Sequence, residues 1–285
     1  MKILVAGASG SLGRHVVREL KRQGHRVRAL SRAPERLRNG AATPDEVLRA
    51  DLTDPASLRG VCDGVDAVLS CAGASMSMSD FRDRTPYATV DHAGNRNLLE
   101  RAREAGVRKL IYVSLFGGRE LARTAYAGAH ERFVDDLKRS GLPHTVVRPT
   151  GYFSFFGEIL KMAASGRGAV LGSGEARTNP IHEADLAEVC AAALASPERE
   201  IPVGGPRVYT RREIVERAFD AVGRPPRVVR VPFGVFRGVA ALARPFNPRV
   251  AALLEFGVEV SRTDAVAPAY GTRDLESWFR EQARA

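Results

Sequence analysis

Apolar residues along this chain fall into two alternating arrangements: short continuous runs, and longer stretches in which they recur about once per helical turn. The runs predict strands at Lys2–Ala6, Arg26–Leu30, Val47–Ala50, Ala67–Ser70, Lys109–Val113 and His144–Val147. Between them, Leu12–Arg22, Thr89–Ala105 and Ala127–Ser140 carry the helical pattern. The last two lead into Gly106 and Gly141, glycines of the kind that close a helix. Strands alternating with helices predict parallel βαβ units, and right-handed crossovers then force an α/β fold, a Rossmann-type doubly wound parallel sheet.

After Pro149 the pattern loosens. A helix is predicted over Phe153–Ala164, a short strand at Ala169–Leu171, and a strongly helical segment, Glu183–Ala195, returning to the sheet. From Gly205 onward Pro and Gly are denser, with helices expected at Arg211–Val222, Val235–Ala243, Arg249–Phe256 and Thr272–Arg284; the last carries Trp278 and Phe279 on its apolar side. The expected organisation is a cofactor-binding core of residues 1–150, to which 180–204 return, and a small C-terminal cap of 151–179 and 205–285 closing over the open end of the sheet. Within the cap, Phe233–Leu242 beside Arg230, Arg237 and Arg244 reads as a pocket lid or an oligomer contact ahead of a membrane-touching segment.

Composition narrows the class. At 285 residues, 44% hydrophobic and 27% charged, the chain can bury a full core as a folded soluble protein. The formal charge of +10 invites a nucleic-acid reading. Yet the basic residues are nearly all arginines dispersed along helices (Arg14, Arg18, Arg101, Arg103, Arg211, Arg212, Arg217), without a run of like charge. No nucleic-acid partner is expected, and the charge better suits a phosphorylated or acidic small molecule. Cys62, Cys71 and Cys190 lie far apart in apolar surroundings, without metal-ligand spacing, so no metal is expected and they read as small buried residues of a reduced compartment. No stretch approaches the roughly twenty apolar residues of a membrane span, and Met1-Lys2 runs straight into a strand. A cytoplasmic monomer or homodimer without membrane insertion is the expectation.

The chemistry begins at Gly7-Ala8-Ser9-Gly10-Ser11-Leu12-Gly13, a G-x-x-G-x-x-G loop between the first strand and first helix. Its glycines suit a tight turn, backbone approach to a pyrophosphate, and close helix–strand packing, while the helix N-terminus offers free N–H groups to phosphate. An NAD site usually places an acid at the end of the second strand for the ribose 2′-hydroxyl. Here that end reads Arg28-Ala29-Leu30-Ser31-Arg32-Ala33, with no acid and with Arg32 nineteen residues past Gly13. Ser31 and Arg32, with Arg36 nearby, predict NADP(H), and Asp51-Leu52 after the third strand is placed to meet the adenine.

These residues, together with Ser70-Cys71-Ala72-Gly73, Arg148-Pro149-Thr150-Gly151 and Asn179-Pro180-Ile181-His182 followed by Ala184-Asp185-Leu186-Ala187, resemble the atypical short-chain dehydrogenase/reductases, in particular the NmrA-like and divinyl-chlorophyllide-reductase-like branch. The resemblance covers roughly residues 1–195 and more faintly 266–279. It implies that Ala72, Gly73, Pro149, Thr150 and Gly151 line the dinucleotide. It also implies a reaction centre of Ser, Tyr-x-x-x-Lys and an upstream Asn, in which lysine lowers the tyrosine pKa. Ser114 and Tyr126 match; His130 stands at the lysine position and Asp91 at the asparagine position. Tyr126 is then the proton donor or a packing residue, His130 the substitute cation or a surface histidine, and Asp91 a site acid or a helix cap. Tyr152, Phe153, Phe155 and Phe156 are candidates for the pocket wall, and His182 for substrate contact or for tying the cap to the sheet. The implied function is an NADPH-dependent reductase of a small carbonyl or conjugated double-bond substrate. Rival readings are a non-catalytic NADP(H)-sensing regulator or assembly factor and, less compatible with a missing lysine, a nucleotide-sugar epimerase-like enzyme.

Overall fold

The computed structural model describes residues 1–37, 43–76 and 83–284. Its first half follows the expected alternation: β1 (Lys2–Ala6), α1 (Ser11–Arg22), β2 (Arg26–Ser31), β3 (Glu46–Arg49), β4 (Ala67–Ser70), α2 (Asn95–Glu104), β5 (Lys109–Val113), α3 (Ala125–Arg139) and β6 (His144–Pro149). There follow α4 (Gly157–Ala164), β7 (Gly168–Leu171), β8 (Arg177–Thr178), α5 (Glu183–Ala192) and β9 (Glu200–Val203). The rest comprises β10 (Tyr209–Thr210), α6 (Arg211–Ala221), β11 (Val228–Val231), α7 (Phe233–Ala243), α8 (Pro248–Val260) and α9 (Leu275–Arg284).

Among the described residues, seven strands form one parallel sheet in the order β3-β2-β1-β4-β5-β6-β9. The period-two geometry of a strand decides which helices cover which face. In β1, Ile3 and Val5 join the core under α1 and α5, with Val16, Leu20, Leu186 and Cys190; Leu4 and Ala6 face the opposite core under α2 and α3, with Leu98, Phe133 and Leu137. Both faces are buried, hence the continuous apolar strands. The winding reverses between β1 and β4, and the crevice at that switch point is where such sheets bind ligands.

Three differences from the expected elements have clear causes. Strand β9 was not predicted, because Glu-Ile-Pro-Val is short and carries Pro202; as the outermost strand it can lack one N–H without breaking the ladder. The single helix expected over Thr89–Ala105 splits into a wide π-type turn at Ala88–Gly94 and then α2. There the Asn95 side-chain amide donates to the Asp91 and Val90 carbonyls at 3.1 and 3.3 Å, while its own backbone N–H turns to His92, so the usual ladder is displaced. Helix α9 begins at Leu275, three residues later than expected, because the Asp274 carboxylate accepts from the Ser277 N–H at 2.9 Å and starts the helix there.

A third core lies apart from the sheet. Phe153 and Phe156, Leu160 of α4, Val170 of β7, Ile214 and Phe219 of α6, and Leu275 and Phe279 of α9 pack together, with Trp278 partly covering them. Asn179 joins this region to the sheet: its Nδ2 donates to the Gly205 and Ala267 carbonyls at 3.0 and 2.9 Å, and its Oδ1 accepts from the Ala267 N–H at 3.0 Å. No described helix is long and apolar enough to cross a membrane. Helix α7 packs on α8 and leaves Val235, Val239 and Leu242 exposed.

Candidate active site

A cavity of about 910 Å³ runs from the glycine loop, past the ends of β1, β2 and β4, to the inner side of α8. The loop closes its first end for two steric reasons. Gly7 sits at φ +78°, and a β-carbon there would lie 2.8 Å from the Ala72 nitrogen, so this position needs glycine on both counts. A methyl on Gly13 would run into the Gly7 carbonyl oxygen, which is how closely α1 approaches the strand. The first turn of α1 holds neither a side-chain cap nor an acid. Its leading N–H groups and positive dipole end are therefore left for an anion, the fit expected of a pyrophosphate.

At the end of β2 the buried Ser31 hydroxyl donates to Ser9 Oγ at 2.9 Å, linking strand end to loop. Arg32 and Arg36 border the cavity there without a carboxylate partner among the described residues, and both are exposed. Asp51 also borders it, but its Oδ1 accepts from the Thr53 N–H and hydroxyl at 2.9 and 2.8 Å, which shapes its own turn. These residues fit a dinucleotide, with two exposed arginines bordering the cavity near the end of β2.

Farther in, the four residues proposed for catalysis border the same cavity. Ser114 Oγ is buried with no hydrogen-bond partner among the described residues, as a hydroxyl kept for a ligand would be. Asp91 is fully buried in the wide turn and accepts from the Ala74 N–H at 3.2 Å. It therefore caps the end of the β4 loop and not the helix that follows. His130 is buried, its Nδ1 2.6 Å from the Tyr112 hydroxyl. Its Nε2 lies 3.3 Å from Asp91 Oδ1 at an angle too poor for a hydrogen bond.

Half-buried Tyr126 stacks edge-on against Tyr87, His130 and Phe256, at centroid distances of 5.1, 4.7 and 4.8 Å. Its hydroxyl makes no hydrogen bond to His130 or to any other described residue. Burial, with the Asp91 charge adding to it, pushes the Tyr126 phenol well above its usual pKa. A lysine would have lowered it; His130 is turned instead toward Tyr112 and Asp91. The expectation of an acidified phenol is corrected on this point: the surroundings of Tyr126 hold its phenol in the protonated form.

Every proposed cofactor-binding residue borders the cavity: Gly7, Ser9, Gly10, Ser11, Leu12, Gly13, Ser31, Arg32, Asp51, Leu52, Ala72, Gly73, Pro149, Thr150 and Gly151. Of the proposed wall, Tyr152, Phe155 and Phe156 do so, whereas Phe153 is buried in the cap core. His182 does not line the cavity either. Its Nδ1 accepts from the Ala184 N–H at 3.0 Å, capping α5, and its ring packs on His15 and Phe153. His182 therefore does join α1 to the third core, as expected of it, and Asn179, three residues earlier, adds hydrogen bonds to the same junction. Of the two readings of Phe233–Leu242, pocket lid or oligomer contact, the lid is corrected: α8 supplies the wall, through Leu253, Phe256, Gly257 and Val260. Sequence reasoning missed this wall, together with Arg211, Met76 and Cys71. Burial pushes the Cys71 thiol up to about 12, which disfavours its thiolate form.

A doubly wound parallel sheet whose switch point opens onto an uncapped glycine-loop helix is a Rossmann dinucleotide-binding protein. The chain belongs to the NAD(P)H-binding family, whose model matches residues 7–197. It is 30% identical over 324 residues to the chloroplastic divinyl chlorophyllide a 8-vinyl-reductase of Oryza sativa subsp. indica, covering 99% of this chain and 78% of that one. It is also 30% identical over 299 residues to the (4-alkanoyl-5-oxo-2,5-dihydrofuran-3-yl)methyl phosphate reductase of Streptomyces griseus, covering 99% and 98%. Among solved structures, the triphenylmethane reductase of Citrobacter sp. superposes with a TM-score of 0.78 at 21% identity over the whole of both chains, which shows the shared fold.

Proposed function

We propose that this protein is an NADPH-dependent reductase of a small compound bearing a conjugated double bond or a carbonyl. The observation that carries the reading is the continuity of one cavity from an acid-free, arginine-flanked strand end to the unpartnered Ser114 hydroxyl and the Tyr126 phenol. NADPH, when bound, would supply the hydride. The substrate then gains an electron pair on oxygen or on the carbon beside a carbonyl, and Tyr126 gives its proton to that atom while Ser114 donates a hydrogen bond to the oxygen. Solvent returns a proton to the phenolate before the next turnover. A phenol held above its usual pKa suits a strongly basic acceptor, such as the carbon of an enolate left by hydride addition to a conjugated bond. Two relatives are named as reductases, which supports the same class.

One observation favours a second reading, a non-catalytic NADP(H) sensor: among the described residues no positive charge acts to lower the Tyr126 phenol. The test is consumption of NADPH with a panel of enones, quinones, aldehydes and conjugated butenolides, the last as methyl phosphates and as the free alcohols. Steady turnover of any member supports the reductase. NADPH that binds tightly yet survives the whole panel overturns it in favour of the sensor.

A further inference from the structure

Resting on the reductase reading, we infer that Arg211 is the receptor for an anionic group, phosphate or carboxylate, carried by the substrate. Arg211 opens α6, whose start is locked by the reciprocal bonds of Thr210 and Glu213, at 2.7 and 3.0 Å. Its own backbone N–H is taken by the Ala176 carbonyl at 3.0 Å, so the side chain is what this residue offers to the cavity it borders. One guanidinium nitrogen donates to the Val260 carbonyl at 3.3 Å, while Nε is sealed from solvent with no partner among the described residues.

The neighbouring acids are already engaged. Asp264 accepts from the backbone N–H and guanidinium of Arg177 at 2.8 and 2.9 Å, and Glu158, which also borders the cavity, is held by Lys161 at 2.8 Å. Burial lowers the guanidinium to about 10, which leaves it charged at neutral pH. A half-buried charge with no ion-pair partner among the described residues, its nearest acid Asp264 being shared with Arg177, is costly in the free protein, and an anionic ligand offsets that cost while satisfying Nε. The planar fork of arginine matches the paired oxygens of phosphate or carboxylate. Val260 also packs in one cluster with Phe256 and Tyr126, so the cation and the proton donor border the same end of the cavity.

The experiment titrates the NADP⁺-saturated protein by calorimetry with phenyl phosphate, phenylacetate and benzyl alcohol. Saturation with NADP⁺ keeps the probes off the glycine loop and Arg32. At least one anion should bind and the alcohol should not, and the tighter anion names the headgroup. Arg211→Met should weaken that binding about 10- to 150-fold, the usual worth of a hydrogen-bonded charge, with Arg211→Lys in between. NADP⁺ affinity should hold, and the melting temperature of Arg211→Met should hold or rise, because a half-buried cation with no ion-pair partner among the described residues has been removed. Equal binding of anions and alcohol overturns the inference, as does anion binding that survives Arg211→Met, or a melting temperature that falls in that variant. The reductase reading is scored separately: turnover of neutral panel members with no anion effect leaves it standing while Arg211 fails. Anion capture by Arg211 without any NADPH consumption does the reverse.

Discussion

Replacing Asn179 tests how the third core is joined to the sheet beside the cavity. The side chain is buried and makes the three hydrogen bonds that join the segment after β8 to Gly205 and Ala267. Its backbone carbonyl accepts from the Gly205 N–H at 2.7 Å and from the Thr150 hydroxyl at 2.6 Å, so the same residue reaches the cavity wall. Asn179→Ala would strand two carbonyls and one N–H where water has no ready access. A buried polar group left unsatisfied costs about 1–3 kcal/mol, and partial relaxation brings the expected loss to roughly 3–5 kcal/mol. Asn179→Asp keeps the shape but turns a donor into an anion facing two carbonyl oxygens, so it should be at least as damaging at pH 7. Protonation at low pH restores one donor and should recover part of the loss. Urea unfolding followed by Trp278 fluorescence measures this, with the transition slope held constant. A loss below about 1 kcal/mol, or an Asp variant as stable as the wild type at pH 7, would refute the junction as described.

Arg32→Ala should cut the preference for NADP(H) over NAD(H) by about 10- to 150-fold, read by calorimetric titration of both cofactors; an unchanged preference would remove Arg32 from the 2′-phosphate site. Tyr126→Phe should lower turnover of any panel substrate by about 10²–10⁴-fold while leaving NADPH affinity unchanged. Because the phenol is raised above its usual value, wild-type activity should show no loss from Tyr126 ionisation up to about pH 9. Burial also lowers the pKa of His15 and of His182, so the unfolded chain binds the extra protons first. The stability these rings contribute is complete above about pH 6.5 and falls as pH drops below it. Protonation of His182 further threatens the nitrogen that caps α5, a cap worth about 1 kcal/mol. Melting temperatures between pH 7.5 and 5 should show the decline, and His182→Asn, which can still cap, should flatten it.

What the chain determined by itself is local. Runs such as Lys2–Ala6 and Lys109–Val113 become buried parallel strands because both faces must be apolar, and the glycine spacing marks a tight strand-to-helix loop because no β-carbon fits at Gly7 or Gly13. The absence of an acid after Leu30 is likewise a one-dimensional fact with a chemical meaning. Tertiary structure decided the rest, since the deciding contacts are distant in sequence. His130 stands where a lysine was expected, yet Tyr112, eighteen residues away, and Asp91 determine where its nitrogens point. Phe153 and His182 look like pocket residues beside Gly151, but α9 and α1 bury them elsewhere. Arg211 reads as one more helical arginine among many. It becomes a cation inside a cavity, without an ion-pair partner among the described residues, only when α8 packs across it, and burial against a distant helix leaves no mark on the residues next to it in the chain.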